Sequence, residues 1–486
     1  MRKNSKPLIL AALLVLFLYH RSHAENWEKV ADKGFGDPGN DYAWSMETFR
    51  GKLYVGTLNS MKGAQIWRSG TGGSRGWERV YHASTVSNSG IRCLYRDGDR
   101  ALYAGTFNSL GGQILRTANG KTWVCVGRSG LEDARNTSIR CIVRFGEYLY
   151  AGTGSSGAQS GQSTVLPQKP YGAQIYRSRN GFVWELVETE PDFRSTRVFD
   201  PQKSAWVTNN ISIGELEVFN GMLYAFTWTQ DVTVQTEAGL LNISESMIPQ
   251  MNGAPFPDPP GAFEVWRSRD GVKWEKVVGL DDSYGNGMGF NLKDPDPDAM
   301  KNNVAMSGAV YQGKLYLGTE NTTGKTAVWR TADGTQWEKV LDFHTLKESS
   351  NFYVWRMMSF KDRLFVGTMN MGNTEDPGVT GGQIWVSRSG DADTFYNLVH
   401  NGFDGKTVPF GDIHMPKNYG IRVFGILNDT LFAGTATILS FPAPQPARPW
   451  AITIAGKDVG CEVWKLISAA DSSDSGQRST EGSELF

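Results

Sequence analysis

The sequence is short of the residues that carry most protein chemistry. Four cysteines and six histidines serve a chain of 486 residues. Beyond residue 24 the histidines are His82, His344, His400 and His414, too far apart in the chain for any zinc-ligand spacing to be read. An excess of charge is missing as well. Lys and Arg number 49 against 50 Asp and Glu, a net charge of −1 with a pI near 6.6, which removes the electrostatic footprint of a nucleic-acid binder. No phosphate loop, dinucleotide fingerprint or nucleophile elbow is present. Long apolar runs are absent except for Pro7–Tyr19, which is too short for a comfortable membrane span. Basic residues precede that run, Ser22-His23-Ala24 follows it, and Glu25 rather than cysteine comes next. Residues 1–24 therefore read as a removable leader without a lipid anchor. The expectation is an exported protein, periplasmic or extracellular, probed by neither nucleic acid nor membrane insertion and monomeric.

Glycine (56) and tryptophan (16) are abundant, and both recur in register. The phrase Leu53–Thr57, LYVGT, returns whole or worn at Leu102–Thr106, Leu149–Thr153, Leu223–Thr227, Leu315–Thr319, Leu364–Thr368 and Leu431–Thr435. An aromatic-base-hydroxyl phrase follows, as in Trp67-Arg68-Ser69, Tyr176-Arg177-Ser178, Trp266-Arg267-Ser268 and Trp329-Arg330-Thr331. Turn pairs such as Asn119-Gly120, Asn180-Gly181, Asp270-Gly271 and Asp333-Gly334 come next, then a tryptophan. Each phrase is a short aromatic, aliphatic and β-branched run bounded by turn residues, which reads as a strand. The turn pairs supply positive φ for tight hairpins. A period of about 45 residues holding four short strands is the signature of a propeller blade.

The predicted fold class is all-β: a seven-bladed β-propeller of four-stranded blades. Asn26-Trp27-Glu28-Lys29-Val30 is a fourth-strand phrase with nothing before it, and Gly460–Trp464 is a third-strand phrase with no fourth strand after it. The N-terminal strand is thus expected to complete the last blade and remove the open sheet edge. Residues 25–35 then belong to blade 7. Blades 1 to 6 occupy 36–80, 81–126, 127–187, 188–278, 279–341 and 342–399, the remainder of blade 7 occupies 400–468, and 469–486 form a disordered tail.

Candidate site residues follow from the repeat. An asparagine stands near the start of each first strand: Asn40, Asn88, Asn136, Asn210, Asn302, Asn351 and Asn418. These either cap the turn entering the strand or ring one mouth of the channel. Four residues further on stand Trp44, Arg92, Arg140, Gly214, Met306, Trp355 and Arg422, which gathers three arginines and Trp44 on one side. Arginine forks two hydrogen bonds to a carboxylate, sulfate or phosphate, and tryptophan offers a stacking face. Pairing of these arginines with Glu47 or Glu217 is the purely supporting alternative. Asp294, Asp296 and Asp298 form an acidic, proline-stiffened turn with the oxygen ligands calcium takes. Cys93, Cys125, Cys141 and Cys461 are placed too unfavourably around a ring to pair readily and are expected as thiols. The long connections, among them 154–171, 228–261, 369–381 and 436–459, fall on one face, where recognition residues such as Trp228, Phe256, Phe263 and Trp450 are expected.

The phrase Ser268-Arg269-Asp270-Gly271-Val272-Lys273-Trp274 resembles the Asp-box (BNR) repeat of sialidase-type propellers, with the Asp-to-Gly gap one residue shorter. The LYxGT phrase resembles the kelch group. The likeness covers about nine tenths of the chain at the level of fold. It implies structural repeats rather than an activity, since the sialidase Phe/Tyr-Arg-Ile-Pro motif is absent. The functional expectation is a ligand-binding or scaffold module that takes a polar or anionic small molecule, a glycan or a protein at its loop-rich face. A sialidase-like glycoside hydrolase or lyase, and a structural component of an envelope or surface assembly, are the alternatives.

Overall fold

The architecture was read from a computed structural model, which describes residues 26–155, 172–200, 205–229, 261–294, 302–321, 323–370, 381–410, 413–437 and 459–467. The leader, the tail, Asp296, Asp298, Phe256, Trp450 and most of the long connections lie outside the described residues. The chain is all-β, with 28 strands hydrogen-bonded into one sheet. No helix among the described residues is long and apolar enough to cross a membrane.

The repeated phrases are the strands. Asn302–Tyr311, Lys314–Asn321, Ala327–Thr331 and Glu338–Asp342 pair in succession, each antiparallel to the one before. The same succession begins at Tyr42–Phe49, Lys52–Leu58, Gln65–Ser69 and Glu78–His82. Short bridges join neighbouring runs, such as Leu58 to Gly90, and Tyr42 to Ala436 joins the first run to the last. The result is a closed ring of 14 strands with 14 more outside it.

Each letter of the LYxGT phrase has a physical task. Leu315, Tyr316 and Leu317 are fully buried because the second strand is covered on both faces. The threonine hydroxyl accepts the N–H that opens the third strand: Gln65 to Thr57 at 3.1 Å, Glu264 to Thr227 at 2.8 Å, Glu462 to Thr435 at 2.9 Å. The tyrosine reaches into the next run, where Tyr54 donates to the Gly120 carbonyl and Tyr150 to that of Asp270. This contact explains the glycine of the turn pair: a Cβ on Gly271, at φ +76, would stand 2.2 Å from the Tyr150 hydroxyl. Where Phe226 replaces the phrase's glycine, the neighbouring run gives way at Gly308, whose added Cβ would meet the Phe226 ring at 2.7 Å. Ser268 and Asp270 complete the turn by accepting the N–H groups of Gly271, Val272 and Lys273, each at 2.8 Å.

The strand Asn26–Ala31 pairs antiparallel with Val463–Ile467, the last strand described. Val30, 1 % exposed, is its anchor, while Trp27 is only half-buried against Phe403. A fully buried carboxylate holds this junction. Glu462 accepts from Lys29 at 2.7 Å, Lys417 at 2.8 Å, Asn418 at 2.7 Å and the Trp464 indole at 2.9 Å. Two of the segments that join one run to the next hold hairpins of their own, Arg197–Asp200 with Ala205–Thr208 and Thr407–Phe410 with Ile413–Pro416.

Removing the Glu462 carboxylate takes an ion-pair partner from Lys417, itself 1 % exposed. Glu462→Ala is expected to destabilise the ring by about 3–5 kcal/mol, read from denaturant midpoints at constant m-value. A variant that unfolds with the wild type would show that this junction does not hold the ring shut.

Candidate functional site

Every inner strand carries a β-bulge at one position. The pairing of first and second strands slips between Ala43 and Ser45, Ile91 and Cys93, Ile139 and Cys141, Ile213 and Glu215, Ala305 and Ser307, Val354 and Arg356, and Ile421 and Val423. The skipped residues are Trp44, Arg92, Arg140, Gly214, Met306, Trp355 and Arg422. A bulge releases one residue from the ladder and re-aims its side chain, and all seven line a central cavity of about 260 Å³. The four-residue offset is thus the distance from each asparagine, at or two residues before the strand's first residue, to the bulge.

The asparagines themselves lie outside this cavity. Their amides tie incoming connections to the third strands. Asn40 donates to the Gly34 carbonyl and to Gln65, Asn136 to Gly130 and Gln174, Asn210 to Phe193 and Glu264, Asn351 to Glu348 and Gln383, and Asn418 to Gly402 and Glu462. Asn88 donates to Tyr81 and Gln113, and Asn302 to the Gly289 carbonyl. The Gln or Glu partner stands two residues before the third-strand aromatic, a repeat visible in the sequence but hidden by the louder aromatic beside it.

Above the bulges the ring is filled. Tyr42, Tyr353 and Tyr419 are 3, 2 and 1 % exposed, and the Tyr42 and Tyr419 hydroxyls are hydrogen-bonded to each other. They pack with Trp44, Trp228 and Trp355 into one aromatic layer. The cavity starts at this layer and runs toward the C-terminal ends of the inner strands, past Glu47, Tyr95, Val143 and Glu217. It therefore opens away from the face that carries the long connections, where a ligand had been expected.

The arginines meet aromatic faces. The Arg92 guanidinium lies 4.5 Å and that of Arg422 5.8 Å from the Trp44 ring centre. Arg422 is also 5.0 Å from Trp355, and Arg140 is 3.9 Å from Trp228. Among the described residues no carboxylate forms an ion pair with Arg92 or Arg422. Burial, with Arg140 and Arg422 nearby, holds Arg92 well below the ordinary guanidinium range. Burial also brings Arg422 down to about 10, against the opposing pull of Tyr353 and Tyr42.

One residue past the bulges, Arg356 pairs with Glu215 at 2.6 Å. The sequence expectation placed such a carboxylate partner at Glu47 or Glu217, whereas Arg356 takes Glu215. Burial, aided by the Glu215 charge, pushes Glu217 up to about 8, and burial raises Glu47 as well. The cavity thus has a cationic inner end and a carboxylate-bearing outer end. Cys93 and Cys141 line it as free thiols, Cys93 pushed up to about 12 by burial, and Cys125 and Cys461 are free too. Phe263 is fully buried and Trp228 is 3 % exposed, so neither offers a free surface. Asp294 is paired with Lys339 at 2.7 Å, and no group of three metal-ligating side chains gathers among the described residues.

No protein-family model matches the chain, and no curated protein matches it. Among solved structures it is similar to YCF48 bound to D1 peptide, at 10% identity and a TM-score of 0.47 over 92% of this chain and 97% of that one. It is also similar to Trypanosoma rangeli sialidase in complex with sialic acid, at 12% identity and a TM-score of 0.37 over 90% of this chain and 55% of that one. Saccharomyces cerevisiae Sqt1 is similar at 11% identity and a TM-score of 0.37, over 91% of this chain and 99% of that one. Likeness at this level transfers neither an activity nor a ligand.

Glu217 gives the site a pH signature. With its pKa raised by folding, the native state keeps a proton that the unfolded chain gives up at about pH 4.5. Its contribution to stability is therefore fully present below that pH and is lost as pH rises toward 8. Thermal melts of the wild type are expected to fall between pH 5 and 8 more steeply than those of Glu217→Gln. Parallel curves would place Glu217 in an environment far more like water.

Proposed function

We propose that the chain is an exported, seven-bladed β-propeller of four-stranded blades, closed by its N-terminal strand. It acts as a binding module whose central channel takes a small polar anion. The successive pairing of four strands in each run and the junction of Asn26–Ala31 with Val463–Ile467 support the architecture. The basic and apolar start of the sequence supports export.

The observation that carries the binding function is the pair Arg92 and Arg422. Both guanidiniums are taken away from bulk water beside further arginines, with aromatic faces as their neighbours and no described carboxylate paired to either. Burying like charges together is unfavourable unless a counter-charge arrives. A carboxylate, sulfate or phosphate seated between them supplies it and accepts forked hydrogen bonds. The cavity volume of about 260 Å³ lies just under the ~300–1,000 Å³ of pockets for drug-sized ligands, so the occupant is small. Binding is the function this geometry favours.

Acetate, sulfate or phosphate is expected to raise the melting temperature of the wild type above that in chloride at equal ionic strength, by the equivalent of about 2.7 kcal/mol at a hundredfold excess over Kd. Arg92→Met and Arg422→Met are expected to melt no lower than the wild type without ligand and to lose the anion-specific rise. Variants that unfold readily yet keep the rise would make these arginines supports of the ring and move the anion elsewhere.

A further inference from the structure

The two ends of the cavity differ in charge, and that difference selects among anions. Resting on the anion-binding reading, we infer that the ligand is a small dipolar molecule, an aminocarboxylate whose carboxylate lies on Arg92 and Arg422 and whose ammonium lies between Glu217 and Glu47. The bulge residues set the inner end, and Glu47 and Glu217 stand three positions further along their strands, at the outer end of the same cavity. Three residues of strand, less the slack of the bulge, separate the layers by about 7–10 Å at ~3.3 Å per residue. An α-ammonium beside its own carboxylate is too close to reach both layers. A carboxylate and an ammonium joined by four or five methylenes reach both.

The charges around the outer end support this choice. Glu215 is taken by Arg356. Glu47 accepts the N–H of Thr48 at 2.8 Å and is also bonded by the backbone of Arg96, and no ion pair among the described residues engages Glu47 or Glu217. Of the other groups near them, Arg96 and Arg356 bear on Glu47, Glu215 and Arg356 bear on Glu217, and Tyr95 lines the same stretch. Arg356 is committed to Glu215, which leaves two carboxylates open to the cavity and in want of a cation. A plain dianion would set its second charge against them, and a simple amine seated at the carboxylates would leave the arginines without a counter-charge. Only the dipolar ligand satisfies both layers. An arriving ammonium also favours the ionised form of Glu217, so the ligand should release a proton on binding near neutral pH.

The test is calorimetric titration of the full chain with 6-aminohexanoate, hexanoate and hexylamine, repeated on Glu217→Gln and Arg422→Met. The wild type is expected to bind 6-aminohexanoate at least tenfold more tightly than hexanoate and to show no measurable hexylamine binding. Its preference should grow from pH 6 to pH 9, with proton release near pH 7 seen as a dependence of the heat on the buffer's ionisation enthalpy. Glu217→Gln should bind the two carboxylates alike, and Arg422→Met should bind neither. Equal affinity of the wild type for 6-aminohexanoate and hexanoate would overturn the dipolar ligand while leaving the anion site standing. Binding of neither would overturn both.

Discussion

One backbone irregularity, repeated around the ring, determines what lines the central cavity of this molecule. A regular inner strand would keep every residue in its ladder, and the sides of the runs would consume its side chains. The bulge four residues past each asparagine releases one residue toward the axis. Ring geometry brings those residues together across a short distance, so the lining of the channel is written at one position per repeat. Three arginines, two tryptophans, a methionine and a glycine occupy it. The released side chain has no partner in the ladder, so its identity can vary from repeat to repeat, although at Gly214 an added Cβ would stand 2.2 Å from the Ala305 carbonyl.

The remaining repeats serve to hold that position still. The threonine of each LYxGT phrase and the asparagine at each strand's start are spent on the backbone of connections and on the third strand. Buried amides satisfied in this way fix the strand's entry and hence the location of its bulge. At the closing junction a charge does the same work, with Glu462 gathering Lys29 and the adjacent Lys417 and Asn418 from two widely separated parts of the chain. The aromatic layer of Tyr42, Tyr353 and Tyr419 stops the channel on one side. The cavity is therefore a recess whose inner end, at the arginines, is the part furthest removed from bulk water.

Much of this was legible in the sequence. Strands announced themselves because aromatic and β-branched runs alternate with turn residues at a constant period, and the four-residue offset singled out the arginines and Trp44 before any contact was known. The asparagines were misleading as candidate ligands for a physical reason. A repeated polar residue at a strand start looks alike whether it faces a channel or a loop carbonyl, and sequence spacing does not report which way a side chain turns. The partnership of Arg356 with Glu215 was invisible because the two lie in different runs and meet only across the ring. The direction in which the recess opens depended on the tyrosines, whose positions two residues before the bulge, or three for Tyr419, do not stand out in a chain so rich in aromatics.

Anomalous diffraction from crystals soaked in selenate at low chloride would examine the central claim most directly, since it places an anion without reference to stability or heat. The predicted result is one dominant selenium peak inside the ring, within hydrogen-bond reach of both the Arg92 and Arg422 guanidiniums and below the Tyr42–Tyr419 layer. Selenium bound only at the outer surface, with the recess empty at saturating anion, would contradict the account.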